Sequence, residues 1–386
     1  MAQTRTITRR KRAAFRIIDA GTPIVSLLTR RPRRLGADEP PRTFLIVEPW
    51  GIGDVVLATP VMQAIRRNFP AARILLLSKE YGRTLLANSG LVDDVIVADL
   101  PWTAFTDKYR PNRYDIGALT GLLARLRSER IDVSLDARRD FRSNLITYLG
   151  GARRRIGFDF GGATRLLTDA LPSGEQNEHK VTDWLQLLEP LLRTPSEPSA
   201  PRLVSTEEER LAARKTLRAH GIGMDKPIIA VHAGASQVVR RWHADRFASV
   251  VDTLAETSGA QLFMIRDPEG HADTVRTRNN IPRLQFSLRE MMAVIAESSA
   301  LLCSDSGPMH IAGALGTPVT ALFGPQVRAW YGPRGQSDRV VSVTEMPCRP
   351  CFDACIYGSA ICMEGITAAA VVDAVTSQIA EISLAV

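Results

Sequence analysis

The sequence predicts an α/β protein of two doubly wound domains, and three observations predict it. From Thr43 onward, short β-branched runs alternate with longer amphipathic segments, the pattern of crossover units feeding a parallel sheet. A Pro- and Ser-rich stretch near 195–202 interrupts that rhythm, which then starts again. At 386 residues, the chain is longer than one compact core usually serves. The expected divisions are a basic tail over 1–42, a first Rossmann-like domain over 43–198, a second over 199–365 and a closing helix over 366–386.

In the first domain the strands fall at 43–48, 73–77 (RILLL), 94–98 (DVIVA), 131–135 (IDVSL) and 154–158. Amphipathic segments at 61–68, 82–88 and 119–129 lie between them, as helices on the faces of a parallel sheet should. VTDWLQLLEPLL reads as a further helix, bracketed by PSGEQNEHK and RTPSEPSAPR. The second domain opens with a helix punctuated by a Thr206 to Glu209 capping box and closed by Gly221. Strands follow at 227–232, 260–265, 300–304 and 318–323, with helices near 243–258, 271–278, 287–297 and 308–315. The last helix carries Asp373 and Glu381 within an apolar run, so it reads as amphipathic and packed on a domain. Ligands of such folds are expected in a cleft at the carboxyl ends of the strands.

Apolar residues make up 45% of the chain and charged residues 23%, the proportions of an ordinary soluble protein. The net charge of +8 is concentrated: residues 1–40 hold ten Lys or Arg against three Asp or Glu, so the body is nearly neutral. The tail's apolar stretch, Phe15 to Leu28, is broken by Arg16, Asp19 and Pro23; it is too short to span a bilayer and is no clean signal peptide. Peripheral contact with anionic lipid and a solvated arm are the two readings of the tail, and a nucleic-acid arm has no folded motif in support. Four of the five cysteines crowd into CRPCFDACIYGSAIC. Without an export signal a cytoplasmic setting is expected, and reduced structural thiols or a redox-sensitive clip rank ahead of a metal, because two separated CxxC knuckles are lacking.

Three segments are candidates for chemistry. The first is EPWGIGDVVLATP, a glycine turn between strand and helix that carries Asp54 where a dinucleotide cradle would hold phosphate; Val56 stands in place of the third glycine. A carboxylate at a helix start is stabilised by the local dipole and can take a proton from a substrate hydroxyl. On spacing alone, a role as helix cap outranks that of base. The second is HAGASQVVRRWHADRF, whose Arg240 and Arg241 follow a strand and can meet a diphosphate; its alternative is a surface loop with Trp242 closing the core. The third is SDSGPMHIAGALGTPVTALFGP, a glycine turn into a helix bearing His310, and such a helix start is an anion site. There is no Walker lysine loop, G-x-S-x-G elbow, H-E-x-x-H or Asp-x-Asp pair, so neither a metal nor a cofactor is expected.

Taken in order with RYDIGALTGLLARLRSERIDVSLDARRDFRSNLITYLGGARRRIGF and CRPCFDACIYGSAICM, these segments resemble glycosyltransferase family 9, the lipopolysaccharide heptosyltransferase group, over about 43–375. The resemblance implies a GT-B architecture of two facing Rossmann-like domains, the first taking an acceptor sugar and the second a nucleotide sugar, typically ADP-heptose. It implies that Asp54 is the catalytic base of an inverting transfer and that Arg240, at a position often Lys in the family, contacts the donor phosphates. It assigns Asp305, Ser306, Gly307 and His310 to the diphosphate cradle and Glu269, within IRDPEGH, to the ribose. The acceptor implied is a lipid-linked or core oligosaccharide, reached by a cytoplasmic enzyme on the inner face of the plasma membrane. The rival readings are a nucleotide-sugar epimerase on the same architecture, which would turn over donor without acceptor, and a non-catalytic sugar-nucleotide binder. A binder has little use for a base.

Overall fold

The computed structural model describes residues 34–36, 39–104, 114–159, 164–172, 178–192, 199–351 and 353–385. Most of the basic tail assigned to 1–42 therefore lies outside the described residues. The chain divides into two compact units between Ser199 and Ala200.

The first unit carries β1 (Thr43–Val47), α1 (Ile52–Asn68), β2 (Arg73–Ser78), α2 (Glu80–Leu86), β3 (Asp94–Val97), α3 (Ile116–Ser128), β4 (Val133–Asp136), α4 (Phe141–Leu149), β5 (Arg154–Asp159), β6 (Asp169–Pro172) and α5 (Lys180–Gln186). Its six strands are all parallel, in the order β3-β2-β1-β4-β5-β6. Alternate residues Leu45, Val47, Leu75 and Leu77 face Leu122, Leu126 and Ile146 of α3 and α4. On the opposite face Phe44, Ile46, Ile74 and Leu76 are also fully buried, and Phe44 meets Phe69, just past α1, at 5.2 Å between ring centroids. Burial on both faces explains why these strands read as continuous apolar runs.

The second unit carries α6 (Glu207–Ala219), β7 (Ile228–His232), α7 (Ala244–Thr257), β8 (Gln261–Ile265), β9 (Arg283–Leu284), α8 (Leu288–Ala296), β10 (Ala300–Ser304), α9 (Gly307–Leu315), β11 (Val319–Phe323), α10 (Arg328–Tyr331), β12 (Arg339–Ser342), α11 (Ile361–Glu364) and α12 (Ala368–Ala385). The strand order β12-β11-β10-β7-β8-β9 reproduces that of the first unit. Ile229, Val231, Leu262 and Met264 pack against Phe247, Val250, Val251 and Leu254 of α7, and against Val371, Val375 and Ile379 of α12. The Thr206 and Glu209 capping box forms as its spacing predicts, with the Glu209 carboxylate accepting from the Thr206 amide at 2.8 Å.

Some elements differ from expectation for identifiable reasons. Helix α1 starts at Ile52, nine residues before the segment assigned to it, and runs through Pro60. Proline cannot donate to the Val56 carbonyl one turn back, and the Thr59 hydroxyl donates there instead, at 2.7 Å. The helix expected at 271–278 shrinks to a 3-10 turn at Ala272–Thr274, and the Asp252 carboxylate takes the Arg278 and Asn279 amides that would have continued it. Strands β6, β9 and β12 were not anticipated. All three are short, carry Asp, Pro or Arg, and sit at or beside a sheet edge.

Candidate active site

In the first unit, strand order reverses between β1 and β4, and a cluster of charged side chains lies at the carboxyl ends of those two strands. Beyond β1 come Glu48, Pro49, Trp50 and Gly51, then α1. Gly51 is the N-cap and Asp54 the third helical residue. A Cβ on Gly51 would lie 2.7 Å from Asp54 Oδ2, so the turn must be glycine for the carboxylate to fold back over it. Asp54 is thus not the cap. Its Oδ2 instead lies 2.5 Å from Nη2 of Arg138, a residue just past β4.

Arg138 is held from several sides. Its Nε donates to Glu48 Oε1 and Oε2 at 3.0 and 3.1 Å, its Nη2 to Oε1 at 3.0 Å, and its backbone N–H to Asp136 Oδ1 at 2.7 Å. The guanidinium also lies 4.9 Å from the centroid of the Trp50 ring, within cation–π range. Glu48 is 1% exposed. Burial pushes its carboxyl up to about 8; Arg138 opposes the shift, while Asp54 and Asp136 add to it. Burial likewise pushes Asp136 up to about 7 against the Arg138 amide. Tyr81 of α2 is raised by burial and by the Glu48 and Asp54 charges, and its buried hydroxyl has no hydrogen-bond partner among the described residues.

In the second unit the equivalent reversal lies between β7 and β10. Arg240 sits in a 3-10 turn eight residues beyond β7. Its Nε and Nη2 donate to Asp353 Oδ1 and Oδ2 at 2.8 and 2.6 Å, and its Nη1 is 3.3 Å from Asp305 Oδ2. The two carboxylates outweigh burial and hold the guanidinium charged. Trp242 closes the core as its alternative reading has it, donating from Nε1 to the Ile366 carbonyl at 3.2 Å. Arg241 turns back to the Ala235 carbonyl at 2.7 Å.

Asp305 is buried directly after β10, Ser306 is the N-cap of α9 without using its hydroxyl as a cap, and Gly307 is the first helical residue. Ser306 Oγ lies 3.4 Å from Nδ1 of buried His232, whose pKa burial pushes down to about 4, so the imidazole is neutral. Arg240, Asp305, Ser306 and Gly307 therefore gather around one turn, with His310 half-buried one helical turn further on. Glu269 is exposed on the loop after β8. The buried acid of that loop is Asp267: burial opposes its charge, but the Ala272 and His271 amides prevail and hold it below the usual carboxylate range. Asp267 reaches the loop after β7, where a Cβ on Gly234 would come within 2.6 Å of its Cγ.

Glu48, Arg138, Asp136 and Tyr81 in the first unit, and Asp353, Asp267 and His232 in the second, escaped the sequence reading. The signal available was position: Glu48, Asp136 and His232 end or directly follow the strands at the two switch points. Asp353 hid among Cys348, Cys351, Cys355 and Cys362, which together line a small cavity with Val239 and Gly324. Among the described residues no group of three or more His, Cys, Asp and Glu could hold a metal ion.

Two Rossmann-like α/β units, each with a parallel six-stranded sheet, give the chain the GT-B fold. The family model described as glycosyltransferase family 9 (heptosyltransferase) matches residues 120–360, and the chain belongs to that family. It is 24% identical over 319 residues to lipooligosaccharide heptosyltransferase 2 of Haemophilus ducreyi, across 78% of this chain and 89% of that protein. Its fold is similar to that of a family 9 glycosyl transferase from Veillonella parvula, with a TM-score of 0.73 and 20% identity, covering 88% of this chain and 97% of the other. It is also similar to the Escherichia coli ADP-heptose lps heptosyltransferase II, with a TM-score of 0.70 and 20% identity, covering 88% and 99%.

Proposed function

We propose that this glycosyltransferase moves a heptose from ADP-heptose, with inversion, onto a hydroxyl of a lipopolysaccharide-core or related cell-surface glycan. The observation that carries the reading is the turn around Arg240, Asp305, Ser306 and Gly307. It offers a guanidinium and the start of a nine-residue helix at the switch point of a family 9 enzyme. The solved relative named for ADP-heptose supports the choice of donor.

In this reading the second unit, over 199–365, takes the donor, and the first, over 43–198, takes the acceptor. Asp54 accepts the proton of the acceptor hydroxyl while that oxygen's electron pair forms the new bond to the anomeric carbon. The bond from that carbon to the diphosphate oxygen breaks, and its electrons leave with ADP. Arg240 has five N–H donors; Asp353 accepts from two nitrogens and Asp305 pairs with Nη1 by charge at 3.3 Å, so N–H groups remain for the diphosphate. Those groups and the α9 start stabilise the departing charge, with His310 and Ser306 alongside and Glu269 on the ribose.

The direct test is a thermal-shift series over nucleotide sugars followed by transfer assays, because a ligand that binds only the folded state raises its melting temperature. ADP-heptose should give the largest shift and glycan-dependent release of ADP. A larger shift with another nucleotide sugar, or turnover without acceptor, would refute the assignment. The reading also puts the enzyme at the cytoplasmic membrane face through the basic residues of 1–42; among the described residues no helix is long and apolar enough to cross a membrane. Deleting 1–40 should release the protein from anionic vesicles.

A further inference from the structure

We propose that Glu48 and Arg138 are positioning residues for Asp54, and that whether Glu48 holds a proton decides how much of the Arg138 charge falls on the Asp54 carboxylate. The inference rests on the reading of Asp54 as the base and adds the device that tunes it.

One guanidinium nitrogen serves both acids: Arg138 Nη2 lies 3.0 Å from Glu48 Oε1 and 2.5 Å from Asp54 Oδ2. Arg138 cannot follow one acid and abandon the other, because its backbone N–H is tied to Asp136 Oδ1 at 2.7 Å and its guanidinium lies over Trp50. The groups facing Glu48 are Arg138 and Asp136 from the β4 end, Asp54 from α1 and Tyr81 from α2. Three carboxyls and a phenol thus surround a single cation in a partly dry site. Burial pushes the Glu48 carboxyl up to about 8 against the pull of Arg138, so its proton comes and goes within the pH range in which the enzyme is assayed. While Glu48 holds that proton, the Arg138 charge stands against Asp54. Once Glu48 ionises, that charge is divided, and the Asp54 carboxylate is left more electron-rich and a stronger proton acceptor.

The experiment is the pH dependence of kcat and KM for ADP-heptose, from pH 6 to 9.5, in wild type, Glu48→Gln, Arg138→Lys and Asp54→Asn. In wild type kcat should rise about threefold to tenfold as pH passes through 8, with KM nearly constant, the scale of a modest change in general-base strength. Glu48→Gln, which cannot ionise, should keep the lower plateau throughout. Arg138→Lys keeps a cation but loses the fork, and should lower kcat about tenfold with little change in KM. Superimposable profiles for wild type and Glu48→Gln, with kcat intact in Arg138→Lys, would overturn the positioning role. In that case inactive Asp54→Asn would leave the base assignment standing, and active Asp54→Asn would remove both.

Discussion

The two units share one strand order and differ in the charge they gather at the switch point. Between β1 and β4 the first unit assembles Glu48, Asp54 and Asp136 around Arg138; between β7 and β10 the second assembles Asp305 and Asp353 around Arg240. Each is one guanidinium among acids, but exposure divides them. In the first the more accessible carboxyl is Asp54, its side chain 26% exposed against 2% for Glu48. In the second the cation, 23% exposed, stands above Asp353 at 18% and Asp305 at 4%. Arg138 is itself 21% exposed, so the units differ in which group is outermost, an acid in one and a guanidinium in the other. The fold sets where chemistry occurs and the turn residues set which chemistry it is.

The strongest way to break that contrast is to remove the accessible acid. Asp54→Ala should lower kcat by about 10²-fold or more, the scale of a general base, while ADP affinity measured by calorimetry stays within about twofold. A parallel loss of ADP affinity would show that the first unit's acid serves donor binding or structure. The converse substitution, Arg240→Ala, should weaken ADP binding about tenfold to a hundredfold, the loss expected when a charge-assisted fork to phosphate is removed. It should also lower the melting temperature, since Asp305 and Asp353 lose their cation. Unchanged ADP affinity would remove Arg240 from the donor site.

How much of this was legible follows the same contrast. The central strands and the glycine turns are local features, and the runs at 43–47, 228–232 and 300–304 could be read directly because both faces of each sheet are covered. Asp54 and Arg240 stood out in the sequence because each lies near such a turn, and Asp305 through the family resemblance. Their partners did not, because Arg138 and Glu48 are 90 residues apart and Arg240 and Asp353 are 113 apart, and only the sheet order brings them together. The turn reading set Asp54 at a helix start, yet the amphipathic pattern of α1 showed only from 61, because Val55 to Pro60 are all buried; the hydroxyl that compensates for Pro60 belongs to Thr59, an unremarkable residue in sequence.

The buried acid of the first unit should leave a trace in the pH dependence of stability. Burial pushes the Glu48 carboxyl up from its ordinary value of 4.5 to about 8, so the folded state holds the proton more tightly. Its contribution is complete below the unfolded value and is lost as pH rises from about 4.5 through about 8. Urea midpoints measured at pH 5, 7 and 9 should therefore fall with pH in wild type and fall less in Glu48→Gln. A residual slope is expected from Asp136, raised to about 7. In the second unit, Asp267 is shifted the other way and loses its contribution only as pH drops below the usual carboxylate range. Equal slopes in wild type and Glu48→Gln would mean that Glu48 is ionised throughout.

The smallest expected effect concerns two prolines in helices that follow switch-point strands, one in each unit. Pro308 lies in the first turn of α9, where its missing N–H would have had no carbonyl to bond, and nothing need compensate for it. Pro60 lies inside α1 and depends on the Thr59 hydroxyl to satisfy the Val56 carbonyl, with both Val56 and Thr59 fully buried. Thr59→Val preserves shape and removes that donor, which should cost about 1–3 kcal/mol, the penalty for an unsatisfied buried acceptor. The same substitution in a Pro60→Ala background should cost less, because the restored amide bonds the carbonyl itself. Melting temperatures of the two single variants and the double variant test this coupling. Additive losses would show that the hydroxyl contributes nothing specific to tolerating Pro60.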